Sequence, residues 1–92
     1  MGLREEETGL KQFFVCQVFI VKTINGRSTI ALLEAFHLSN IEEAIRKAER
    51  MNEAQHIVGS IAFSIFVDEE AGEYSEMQNI NQFGSVPSLE AL

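Results

Sequence analysis

From residue 13 the chain turns almost wholly apolar. Up to residue 24, Phe13, Val15, Phe19 and Val21 fall at one parity, and Phe14, Cys16, Val18, Ile20 and Ile24 at the other. Apolar residues at both parities predict a strand covered on both sides. Asn25-Gly26 follows at once. A type I′ turn needs two residues that tolerate positive φ, so this dipeptide predicts a hairpin. A second strand, residues 27–37, then places Ile30, Leu32 and Phe36 on one face and Ala31, Leu33 and Ala35 on the other.

The period next changes to that of a helix. Ile41, Ala44, Ile45, Ala48 and Met51 form one apolar stripe at the i, i+3, i+4, i+7 spacing, which predicts a helix over residues 40–54. Ser39 reads as its N-cap, with Glu42 completing a capping box. Glu42 with Arg46 and Glu43 with Lys47 read as i, i+4 pairs on a solvated face. Residues 56–68 return to a β pattern: Ile57, Ile61, Phe63, Ile65 and Val67 on one face, Val58, Ala62 and Phe66 on the other among Ser60 and Ser64. Gly59 in this run permits a bulge or close packing against the helix. Asp68, Glu69, Glu70, Ala71, Gly72 and Glu73 make a polar turn, and a weakly patterned, Gln- and Asn-rich fourth strand covers residues 74–83. Residues 1–11, with Arg4 and the run Glu5, Glu6, Glu7, lack an apolar period and read as a flexible leader. Residues 12–87 then form a single domain and residues 88–92 a tail.

Two hairpins joined by a helix define an α+β fold, ββαββ. Placing the first strand between the second and third gives a four-stranded antiparallel sheet of order 2-1-3-4, with the strands that are apolar on both faces in the middle and the polar ones at the edges. One helix covers one face. The other face would expose large apolar side chains from three strands, as an interface or ligand site does. The expectation is a homodimer, two-fold symmetric, burying that face or an edge of the sheet.

With 92 residues, 46% hydrophobic and 23% charged, the chain has the composition of one globular domain. Seven Lys and Arg against 14 Asp and Glu leave a net charge of -7. The basic residues are scattered, and Arg46, Lys47 and Arg50 share their helix with Glu residues, which argues against nucleic-acid and anionic-membrane partners. Apolar runs such as residues 13–21 are about half the length that spans a bilayer. With one cysteine, Cys16, and no secretory pattern, the chain reads as cytoplasmic.

Candidate chemistry is sparse. Cys16 sits within a strand without a neighbouring base and reads as a buried thiol. His37 and His56 flank the helix without a second ligand at metal spacing. Asp68, Glu69, Glu70, Glu73 and Glu76 lack the alternating ligands of a calcium loop and read as a solvated hairpin. Residues 59–66 echo the aromatic strand of RNA-recognition motifs in Ala62, Phe63 and Phe66, yet lack its basic residue and its element order. Neither metal nor cofactor is implied.

Ala44, Ala48 and Glu49, then Ala62-Phe63-Ser64, Asp68, Gly72-Glu73-Tyr74, Phe83-Gly84 and Val86-Pro87 carry a resemblance. Over residues 44–87 the chain resembles a family of short uncharacterised bacterial proteins, proteobacterial in distribution. The resemblance implies a shared small fold and assigns no activity. The leading expectation is therefore a non-enzymatic accessory or protein-interaction module. The alternative is a small-molecule-binding protein or minor enzyme with a pocket at a dimer interface, where Glu34, His37, His56, Ser60, Ser64 or Tyr74 would converge.

Overall fold

The computed structural model describes residues 10–87. Its elements are β1 (Leu10–Ile24), β2 (Arg27–Leu38), α1 (Ile41–Met51), β3 (Gly59–Asp68), β4 (Glu73–Tyr74) and β5 (Gln78–Gly84). The sheet has the order β2-β1-β3-β4, with β5 also on β3 and every pairing antiparallel. This is the predicted α+β ββαββ fold with the two most apolar strands central. β1 starts at Leu10, inside the stretch read as a leader; residues 1–9 of that stretch, and the tail of residues 88–92, lie outside the described residues.

Asn25 (φ 53) and Gly26 (φ 78) make the predicted turn with positive φ at both positions. β1 and β2 then run further than β3 does. β3 pairs with β1 only as far as Phe19, so the ladder from Ile20↔Ala31 to Ile24↔Arg27 projects as a two-stranded arm. The second strand departs from its expected faces at a bulge. Val18 pairs with Glu34 and Phe19 with Leu32, leaving Leu33 as an extra residue. An inserted residue reverses the alternation beyond it. Ile30 and Leu32 therefore face away from the helix, while Phe36 joins the helix side instead of sharing their face.

The helix begins one residue later than expected. Asn40, not Ser39, is the N-cap: its backbone is extended, and its side chain accepts a 2.8 Å hydrogen bond from the Glu43 amide. The Glu43 carboxylate accepts from the Ser39 amide at 3.3 Å, one residue ahead of the cap, so the expected Ser39–Glu42 box is replaced by a cap at Asn40 whose return bond comes from the preceding residue. The expected Glu42–Arg46 and Glu43–Lys47 ion pairs do not form among the described residues. Glu43 is engaged in the cap, and the Lys47 ammonium lies 4.3 Å from the Phe36 ring centre. The α-helix stops at Met51 rather than residue 54, and tighter turns follow, Glu53 N–H to Arg50 and Ala54 N–H to Met51.

Residues 56–58 do not belong to the third strand. Val58 donates to the Phe19 carbonyl at 2.9 Å and accepts from the Ser85 amide at 2.9 Å, which turns Ile57 into the helix-side core and Val58 to the opposite face. The Gln- and Asn-rich fourth strand is broken in two. The Ser75 hydroxyl accepts from the Phe66 amide, and a register shift near Ala62 and Ser64 accompanies Asn79 at φ 54. Gly59 does make a close approach, but to the segment just after β5 and not to the helix: a Cβ there would collide with the Ser85 carbonyl.

Two cores result. Beneath α1, Cys16, Val18, Ala44, Ala48, Ile57 and Ala62 are buried with Phe14, Phe36, Ile41 and Phe83 around them. The Ser60 hydroxyl donates to the Ala48 carbonyl at 2.5 Å, tying β3 to the helix. The helix-free face is not left in water, as the pattern alone suggested. Val15, Phe19, Ile61 and Phe63 there are between 1% and 7% exposed, packed with Ile30, Val58, Met77 and Val86. The curl of the sheet and the segment after β5 supply the cover that one helix could not.

Candidate functional site

The helix-free face is hollowed rather than flat. Gln17, in the middle of β1, divides it into two adjoining depressions. One, of about 340 Å³, is bounded by Phe19, Ile30, Leu32, Ile61, Val86 and Pro87. The other, about 310 Å³, is bounded by Phe13, Val15, Ala35, His37, Phe63 and Ile65. The first is the deeper and reaches the lower end of the size range of small-molecule sites, while the second is shallow and open. Gln17 is half-buried and its side-chain amide makes no hydrogen bond among the described residues, so it offers a donor and an acceptor in an apolar floor.

His37 opens onto the second depression, its ring tilted 57° and 5.7 Å from that of Phe13. The other residues singled out from sequence do not join it. Ser60 and Ser64 face the helix side and are fully buried; Ser60 bonds to Ala48, and Ser64 to the Gln78 carbonyl at 3.4 Å and the Asn79 amide group at 3.0 Å. Glu34 is exposed on β2 opposite Val18, and His56 is exposed after the helix. Tyr74 is 73% exposed and borders a separate hollow of about 250 Å³ with Leu10, Phe66 and Asp68. Serines in β3 belong to its structural hydrogen bonding, because buried hydroxyls need partners.

Gln17 was missed although the sequence marks it: it is the single polar side chain between Phe13 and Val21, Cys16 aside. Val86 and Pro87 carried no such mark, because only the turn after Gly84 brings them over Ile61. Cys16 is wholly buried, and desolvation raises its thiol above the ordinary range, with Lys47 pulling weakly the other way. Its reactivity is thereby suppressed.

In the acidic turn, the Asp68 carboxylate accepts from the Glu70 and Ala71 amides at 3.2 Å each, and Glu69 pairs with Lys11 at 3.3 Å on the surface. Among the described residues no three His, Cys, Asp or Glu side chains gather as a metal site. No helix among them is long and apolar enough to cross a membrane. Comparison with protein-family models, curated proteins and solved structures gave no match.

Proposed function

We propose that this chain is a non-enzymatic protein-interaction module whose contact surface is the first hairpin and the groove beside it. The observation that carries the reading is the exposure of large apolar residues along that hairpin: Val21 at 51%, Ile24 at 56%, Leu32 at 52% and Leu33 at 45%. They run along β1 and β2, and among the described residues the outer edge of β2 has no strand partner. Exposed apolar surface beside an open strand edge is what β-augmentation uses, with backbone hydrogen bonds giving affinity and side chains giving specificity.

A photo-crosslinking amino acid at Leu33 and, as control, at the exposed helical Glu49 tests the reading in cells. Leu33 is expected to form covalent adducts with protein and Glu49 is not; equal labelling at both positions, or none at Leu33, rejects it. The second reading, a binder of a small apolar molecule, is favoured by the paired depressions with Gln17 and His37 as their polar groups. A thermal-shift screen of metabolites and metals separates the two, since a ligand of the folded state raises its apparent stability by mass action. Stabilisation by several degrees that His37→Ala and Gln17→Leu abolish, without Leu33 adducts, establishes the small-molecule reading instead.

A further inference from the structure

We propose that the outer edge of β2 pairs antiparallel with β2 of a second copy about a two-fold axis at Ile30, so that Arg27 of each chain meets Glu34 of the other. This rests on the interaction reading and names the partner.

The two edges of the sheet differ in what they can accept. On the far side, β4 has two residues and β5 seven, with a register shift, Asn79 at φ 54 and Gly84 at φ 69. Short, interrupted edges resist strand addition. β2 has twelve residues without proline and only one bulge. Its arm beyond Phe19 rests on β1 alone, and two-stranded ribbons are marginal in water without further pairing.

Charge fixes the register. Arg27 and Glu34 both stand on the open strand, and neither has an ion-pair partner among the described residues. Seven positions apart, they would occupy opposite faces of a regular strand. The bulge at Leu33 removes that mismatch and brings both to the helix side, as their β1 partners Ile24 and Val18 indicate. Arg27 now lies three ladder positions before Ile30 and Glu34 three after it. A perpendicular two-fold axis at Ile30 therefore sets Ile30 opposite Ile30, Ser28 opposite Leu32 and Arg27 opposite Glu34, twice over. Residues on each side keep their face, as continuous pairing requires. Two chains of net charge -7 repel at long range; this edge, carrying one charge of each sign, is where they can approach. Ile30 and Leu32 of both copies would then join the 340 Å³ depressions into one apolar channel across the axis.

Cysteine crosslinking tests the register. Directly opposed residues in an antiparallel pair have Cα atoms about 4.5–5.5 Å apart, within disulfide range, whereas two residues at position 32 would lie about 14 Å apart. In a thiol–disulfide buffer Ile30→Cys is expected to form a covalent dimer and Leu32→Cys is not; Cys16, fully buried, does not compete. Because Ile30→Cys also removes packing, the charge pair supplies a second measurement on an intact core. By light scattering or sedimentation, Arg27→Glu is expected to weaken dimerisation by at least about tenfold, and Arg27→Glu with Glu34→Arg to restore it. A 10.3 kDa monomer at tens of micromolar, crosslinking at Leu32→Cys in place of Ile30→Cys, or a double variant no tighter than Arg27→Glu overturns the proposal. A monomer whose Leu33 photo-adduct is a different protein overturns self-pairing and leaves the interaction reading standing.

Discussion

At Gly59 and Gly84, which pair across β3 and β5, the absence of a side chain decides whether the strands can meet. A Cβ on Gly59 would strike the Ser85 carbonyl, and neighbouring backbone cannot rotate out of the way as a side chain can. At Gly26 a Cβ meets nothing within 4 Å, and only its φ of 78 disfavours a side chain. Gly59→Ala is accordingly expected to cost more than about 3 kcal/mol in urea unfolding and Gly26→Ala about 1 kcal/mol. The reverse order would reject this account. Gly26 was legible because its turn is local, whereas the Ser85 carbonyl that Gly59 faces lies 26 positions away and no short-range pattern points to it. Cys16 was legible as buried, and its chemistry adds a pH dependence. Its thiol titrates above the ordinary value in the folded state, so on raising the pH the unfolded chain loses its proton first. The contribution of Cys16 to stability is constant below about pH 8 and is lost as the pH climbs through the ordinary thiol range. Thermal unfolding between pH 7.5 and 10 is expected to show that fall, and Cys16→Ala to flatten it; an unchanged slope in the variant assigns the loss to other groups.

Among the elements, β1, the hairpin turn and the apolar stripe of α1 were legible because each pattern is short-range and strong. The ends of α1 were not. Ser39 and Asn40 are both good caps with a Glu three residues on, and geometry chose Asn40. The bulge in β2 was also hidden, because Leu32 and Leu33 are alike and either can be the spare residue. Its presence predicts an asymmetry between neighbouring strands. Removing Leu33 leaves Leu32 and Glu34 adjacent on alternate faces, so every other β2 side chain keeps its place; this deletion is expected to cost less than about 2 kcal/mol. Removing Gln17 from β1, which has no spare residue, turns half the strand inside out against both neighbours and is expected to abolish cooperative unfolding. Circular dichroism with urea titration of both deletions checks this, and equal tolerance would mean that the bulge does not govern register.

For the molecule as a whole, strand order followed from asking which strands are apolar on both faces, and that reasoning needed no distances. What it lacked was curvature. A flat sheet with one helix must expose its second face, whereas here the curl of the strands, with Val58, Met77 and Val86 packed against that face, buries Ile61 and Phe63. The groove, and Gln17 in its floor, are products of that curvature and were visible only in part, through the one polar position in an apolar run. The arm beyond Phe19 gives the molecule a second inequality. The ladder between Ile20 and Ala31 is anchored at one end only, so its amide protons should exchange with deuterium through fraying of the tip, orders of magnitude faster than those of Cys16 or Ala62, which wait for global opening. Exchange followed residue by residue would therefore read the arm as a clock separate from the rest of the fold. Any partner that seats against β2 would slow that clock at identified positions, and so show where the rise in melting temperature that binding brings has its origin.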